Sequence, residues 1–242
     1  MPGPLVRFRG VNKTFGRAAA LREVDFDLLE GRCMGLAGLN GAGKTTLIKC
    51  LLDFCSLDSG TIEVRGVGHR HPGSRAGVAF LPERFTAPYF LTGREFIEMM
   101  LRLFGRPYAD VEVRETFSAL DLEPASLDKP VRTYSKGMTQ KLGLAACFLA
   151  GRDLYVLDEP MSGLDARARV RTKELMSKLK AAGRTLLFTS HSLADIGEVC
   201  DDVTVLHRGS LAYSGAPRQF CERYGEPSLE RAFLKCIEEA HA

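Results

Sequence analysis

The chain has 242 residues, enough for one sizeable hydrophobic core with a subsidiary lobe. Apolar residues make up 45% and charged residues 26%, the balance of a soluble globular protein. A net charge of +3 is too small to make nucleic acid or an anionic membrane the main partner, so no nucleic-acid role is expected.

Seven cysteines, an odd number without paired spacing, fit a reducing compartment. Cys50 and Cys55 lack zinc-ligand spacing. The N-terminal stretch has no apolar h-region, and no run approaches the roughly 18 apolar residues of a membrane span. The expectation is a soluble, cytosolic protein that can dock on a membrane protein.

Residues 5–9 and 21–28 alternate apolar and polar loosely, as half-buried strands do, and 61–64 continue that character. They predict a small antiparallel β layer. The apolar run Cys33-Met34-Gly35-Leu36-Ala37 predicts a buried strand. It enters Gly-Leu-Asn-Gly-Ala-Gly-Lys-Thr-Thr at 38–46, which fits G-x-x-x-x-G-K-[ST], the loop whose backbone N–H groups wrap a nucleotide's phosphates.

Residues 45–52 predict a helix whose positive N-terminus faces those phosphates. Asn40, Gly41, Ala42, Gly43, Lys44, Thr45 and Thr46 are the expected nucleotide contacts. Lys44 supplies charge for the β- and γ-phosphates, and Thr45 offers a hydroxyl to Mg²⁺.

Residues 77–81 predict a further buried strand, stopped by Pro82. His69 and His71, in the loop ahead of it, are expected to be solvated. From 92 to about 150 the pattern turns helical, at 94–104, 109–120 and 135–149. In the first of these Phe96, Met100, Leu103 and Phe104 fall on one stripe and are expected to anchor the lobe. Phe85, Tyr89, Phe90 and Met99 are apolar beyond that need, and either fill the lobe's core or form an exposed groove.

The parallel sheet resumes at 154–157, 185–189 and 203–206, with helices at 166–181 and 193–199 between. Arg167, Arg169, Arg171 and Lys173 read as a solvated helix face, because Arg169 points away from its arginine neighbours. A last amphipathic segment, 228–240, is expected to pack on the core or on a partner. The expected fold is α/β: a P-loop NTPase with a mainly parallel core sheet, a small antiparallel layer and an inserted helical lobe. It forms one domain over 1–242, with core 1–85 and 151–225 and the lobe at about 86–150.

The strand at 154–157 ends in Asp158-Glu159-Pro160. Asp158, at the C-terminal edge where open parallel sheets bind ligands, can orient a water on Mg²⁺. Glu159 can take a proton from an attacking water.

In this order the motifs resemble the ATP-binding cassette (ABC) ATPase family over nearly the whole chain. The resemblance implies that Phe15 stacks on adenine and that Ser162-Gly163-Leu164-Asp165 is the D-loop of a dimer interface. It also implies that His191, in Thr-Ser-His, is the switch histidine contacting the γ-phosphate.

Two motifs depart from the family pattern. The signature, usually Leu-Ser-Gly-Gly-Gln, is Tyr134-Ser135-Lys136-Gly137-Met138 here. Ser135 and Gly137 keep donors for a γ-phosphate bound by another chain. The Ser-Lys-Gly-Met form is similar to the branch paired with ABC-2 type exporters. The Q-loop glutamine is replaced by Glu83, which as a carboxylate can bind Mg²⁺ but cannot donate a hydrogen bond when ionised.

The resemblance implies Mg²⁺-dependent ATP hydrolysis by Lys44, Glu159 and His191, with Thr45, Asp158 and Glu83 at the metal. One copy of each motif implies a second ATPase subunit, identical or homologous. A transmembrane permease subunit would hold the chain peripherally on the inner face of the cell membrane. The alternatives are a soluble ABC ATPase in a non-transport assembly, such as iron–sulfur cluster biogenesis, and an ATP-gated binding module that barely hydrolyses.

Overall fold

The computed structural model describes residues 3–240. Strands β1 (Pro4–Phe15) and β2 (Ala18–Leu29) form a long antiparallel hairpin, within which the Phe8 and Phe26 rings stack at 4.3 Å. After β3 (Cys33–Ala37) and α1 (Lys44–Leu51), β4 (Ser59–Val64) pairs with the free edge of β1 and the short β5 (Val67–Gly68) adds to β4. The resulting antiparallel sheet has the order β2-β1-β4-β5.

A single turn α2 (Pro72–Arg75) leads to β6 (Val78–Leu81), and then come α3 (Gly93–Leu103), α4 (Asp110–Ala119) and α5 (Lys136–Leu149). The chain continues through β7 (Leu154–Leu157), α6 (Ala166–Ala181), β8 (Thr185–Thr189), α7 (Leu193–Val199), β9 (Asp202–His207), β10 (Ser210–Gly215), α8 (Pro217–Tyr224) and α9 (Leu229–Glu239). The second sheet has the order β10-β9-β3-β8-β7-β6, parallel except for the β9–β10 hairpin.

Every residue of β3, β7 and β8 is buried, which explains their unbroken apolar runs: both faces of this sheet are covered. Successive side chains go to opposite faces. Leu154 and Val156 join Leu47, Ile48 and Leu51 of α1 and the inner face of the antiparallel sheet. Tyr155 and Leu157 join the helices on the other side, among them Phe96, Phe117, Leu142 and Met176. Polar caps set the helix starts. Thr92 and Glu95 form a reciprocal capping box on α3, and Asp165, Ser192 and Ser228 cap α6, α7 and α9.

Two expectations need correction, those on His69 and Leu103, and the choice left open for Phe85 is decided. His69 is buried, with its Nδ1 3.1 Å from the Ile62 carbonyl oxygen, because β5 and α2 fold over it; His71 is exposed and caps α2. Leu103 is 73% exposed. The inward face of α3 runs through Phe96, Ile97, Leu101 and the half-buried Met100 and Phe104, and Leu103 lies about 100° from its centre. Phe85 packs into the core, its ring 5.7 Å from that of Phe96, where Gly143 leaves space for it.

Strand β10 and helix α8 were not foreseen. The strand forms because Arg208 and Gly209, both at positive φ (48° and 85°), turn the chain back in a two-residue hairpin onto β9. The arginines of α6 are solvated but paired, Arg167 with Asp121, Arg169 with Asp195 and Arg171 with Glu174.

Candidate active site at the strand ends

Because β3, β8, β7 and β6 lie side by side and run parallel, their C-terminal ends open on one edge. That edge carries the loop after β3, His191 after β8, Asp158 and Glu159 after β7, and Glu83 after β6. Together they line a cavity of about 240 Å³, whose wall is residues 40–46, Ala20, Glu83, Asp158, Glu159 and His191.

The loop is shaped by close approach. Gly43 has φ 108°, and a Cβ there would sit 2.6 Å from the Ala20 carbonyl oxygen in β2. Only glycine satisfies both constraints. Gly43 is also the N-cap of α1 and offers no side-chain acceptor, so the first-turn N–H groups are left for a ligand at the positive helix end.

The Lys44 ammonium is buried and donates to the Gly38 carbonyl oxygen at 2.7 Å. Burial lowers its pKa, while Glu159, Asp158 and Glu83 oppose that shift. The carboxylates favour the charged form, but burial outweighs them.

Asp158 is a junction. The Thr45 hydroxyl donates to its Oδ2 at 3.1 Å, and the Thr189 hydroxyl to its Oδ1 at 2.7 Å. The Glu159 backbone N–H in turn donates to the Thr189 hydroxyl oxygen at 2.7 Å. Thr45 and Asp158 present hard oxygen donors on one wall, which fits Mg²⁺. Among the described residues no group of three or more His, Cys, Asp or Glu could hold a metal alone.

Glu159 sits at φ 50°, a conformation that non-glycine residues enter only under constraint. Its Oε1 is buried without a hydrogen-bond partner and lies 3.3 Å from His191 Nε2, out of hydrogen-bond geometry. Burial pushes its pKa up, against the opposing pull of His191 and Lys44. A strained, desolvated carboxylate with a free lone pair beside a phosphate loop has the character of a general base.

Phe15, Ser135 and Gly137 are not brought to this cavity. Phe15 ends β1 and is 53% exposed, with the Lys13 ammonium 5.3 Å from its ring. Ser135 caps α5, accepting from the Met138 N–H at 3.2 Å. The first turn of α5 abuts the turn at 162–165: a Cβ on Gly137 would lie 3.3 Å from the Gly163 carbonyl oxygen. Gln140, buried one turn on, donates to the Pro160 carbonyl oxygen at 3.0 Å and ties α5 to the segment after Glu159.

Sequence reasoning missed Ala20, Thr189 and Gln140 as members or supports of the site. Thr189 is the one that left a trace, as a hydroxyl at the end of an apolar strand.

The family model described as ABC transporter matches residues 21–162. An uncharacterized ABC transporter ATP-binding protein of Nostoc is 39% identical over 206 residues, covering 83% of this chain. The chain spans 61% of that relative's length. The Nod factor export ATP-binding protein I of Ralstonia nicotianae is 32% identical over 223 residues, covering 89% of this chain and 68% of the relative. A solved ATP-binding subunit of an ABC transporter superposes with a TM-score of 0.89 at 27% identity, over 96% of this chain and 99% of that one. The match spans the phosphate loop and the strand-end carboxylates Glu83, Asp158 and Glu159, and with it this chain belongs to the ABC transporter family.

Proposed function

We propose that the chain is the ATP-binding and ATP-hydrolysing subunit of a membrane transporter, and that the transport it drives is export. The observation that carries this reading is the buried Glu159 carboxylate, whose Oε1 accepts no hydrogen bond and which shares one cavity with Lys44, Thr45 and Asp158. Lys44 and the loop N–H groups bind the β- and γ-phosphates. Thr45 and Asp158, with Glu83 lining the same cavity, would hold Mg²⁺, which would supply neutralising charge for the phosphate oxygens. Glu159 takes the proton of the attacking water, and His191 steadies the γ-phosphate.

Phe15, Ser135 and Gly137 act where this cavity does not reach. Phe15 stacks on adenine at its rim, while Ser135 and Gly137 cap a nucleotide held by a second ATPase subunit. The names of relatives concerned with Nod factor export and linearmycin resistance support export. No helix among the described residues is long and apolar enough to cross a membrane. In this reading a transmembrane permease subunit anchors the chain to the inner face of the membrane, and Tyr89, Phe90 and Met99 offer it an exposed apolar surface.

Phosphate release from ATP by the purified chain, with and without Mg²⁺, tests the enzymatic half. Membrane co-purification, followed by identification of the bound permease, tests the transport half. Release that is absent with Mg²⁺, even in the presence of a partner ATPase, would overturn the first. Recovery with a soluble assembly and no membrane protein would overturn the second.

A further inference from the structure

Behind the segment that carries His191 lies a second cavity, of about 180 Å³. Asn40 and His191 line both this cavity and the phosphate cavity, so the histidine segment is the partition between the two. The far wall is Phe233 of α9, a residue only 8% exposed. Close packing holds α9 there. A Cβ on Gly197 of α7 would lie 2.8 Å from Leu229 of α9, and one on Gly35 of β3 would lie 2.6 Å from Ile196 of α7. Helix α9 therefore bears on α7, and α7 bears on the strand that feeds the phosphate loop.

The backbone around His191 is tied to the same unit. Ser192 caps α7, and its N–H donates to the Ser190 hydroxyl oxygen at 3.0 Å. The imidazole itself is loosely held, with a side chain 55% exposed and Glu159 3.3 Å away. The segment also borders the 180 Å³ cavity, which Glu159 does not line and which the Phe233 ring helps to enclose.

We propose that Phe233 is a positioning residue for His191, closing the space behind the histidine segment and so keeping the imidazole beside Glu159. The inference rests on the ATPase reading above and adds to it a part for the C-terminal helix. Phe233 touches neither nucleotide nor metal. Removing its ring enlarges the rear cavity, and the segment gains a route away from the reacting groups.

The test is steady-state ATPase on purified variants. Phe233→Ala should lower kcat about tenfold, the scale of a modest misplacement, with the KM for ATP within about twofold. Phe233→Leu, which refills most of the space, should recover most of the rate. In a His191→Ala background Phe233→Ala should have no further effect, because the two changes act through one group. Ile237→Ala, a buried change on the same helix that does not line the cavity, should lower the melting temperature and leave kcat unchanged below it.

The imidazole Cε1–H resonance of His191, assigned by its loss in His191→Ala, should move in Phe233→Ala and stay in Ile237→Ala. Where Phe233→Ala does not fold, Phe233→Leu is read alone for a smaller fall in kcat and a smaller shift of the same resonance. A parental kcat with an unmoved resonance in the Phe233 variant would overturn the proposal, as would an undiminished effect in the His191→Ala background. A parental rate in His191→Ala would instead overturn the role given to His191. The resonance reports on Phe233 even then.

Discussion

The strand ends and the start of α5 carry equally specific motifs, yet they differ in how complete they are. At the strand ends each functional group meets another from the same chain: Lys44 reaches the Gly38 carbonyl, Asp158 joins Thr45 to Thr189, and Glu159 faces His191. At the start of α5, Gly137 abuts the turn at 162–165, and neither it nor Ser135 borders the nucleotide cavity of this chain. Ahead of α3, Tyr89 and Phe90 are 70% and 71% exposed, their rings 5.7 Å apart. Motif groups that converge on one cavity of their own chain point to chemistry done there. Motif groups that border no such cavity point to a site that another chain would complete.

The largest effect should come from the complete side. Glu159→Gln keeps the shape of the site but removes the base, and should slow turnover by about 10²–10⁴-fold while ATP still binds. The same change should stabilise the empty protein. Burial raises the Glu159 pKa, so the ionised carboxylate opposes folding at neutral pH, and this penalty disappears once pH falls below the ordinary carboxylate range. Melting of the two proteins at about pH 7.5 and about pH 4.5 should show an advantage for Glu159→Gln that closes at the lower pH. Turnover within twofold of the parent would remove Glu159 as the base.

Lys44→Ala should come next. It deletes a buried ammonium that donates to the loop and faces three carboxylates. The loss of a charge-assisted contact to phosphate should cost about 1.5–3 kcal/mol of nucleotide binding, read by titration calorimetry. A far smaller loss would mean that the loop N–H groups and helix end carry the affinity without the lysine.

Legibility followed the same division. The strand-end groups could be read because apolar runs give strands whose ends must converge in a parallel sheet, and because the spacing of 38–46 fixes the loop after one of them. What could not be read was set by tertiary contact. Nothing local marks Glu159 for a left-handed backbone, which follows from the Thr189 hydroxyl holding its N–H. His69 is polar and near Gly and Pro, yet the Ile62 carbonyl draws it inside. Leu103 fits a helical stripe by spacing, but the core chose the stripe through Ile97 and Leu101. Strand β10 is polar enough to pass for a loop, and its pairing depends on the Arg208–Gly209 turn.

The incomplete side should respond only when a second chain is present. In the Glu159→Gln background ATP should shift the protein from monomer toward dimer on size exclusion, alone or with a partner ATPase. Ser135 is exposed at the N-terminus of α5, and arginine there puts bulk and charge where a partner's nucleotide would dock. Ser135→Arg should abolish the dimer while leaving monomer ATP binding within about twofold, since Ser135 lies outside the cavity. Tight ATP binding with no dimer in any combination would break the sandwich model.

The smallest effect on the isolated chain should be that of Tyr89→Asp. Tyr89 is 70% exposed, so an aspartate there buries no charge, and the change should fall within about 0.5 kcal/mol, the range of ordinary surface substitutions. Phe85, four residues earlier, is the useful contrast. Its ring is within a few ångströms of Gly143 and Leu81 packs beside it, so Phe85→Asp would place a charge in the core and should unfold the lobe, at a cost of several kcal/mol. Tyr89→Asp should therefore keep the parental melting temperature and basal ATPase, and lose co-purification with membranes. Phe85→Asp should lose all three. A collapsed melting temperature for Tyr89→Asp would make the aromatic pair part of the fold. Unchanged membrane recovery with normal transport would leave Tyr89 and Phe90 as exposed rings without a permease partner.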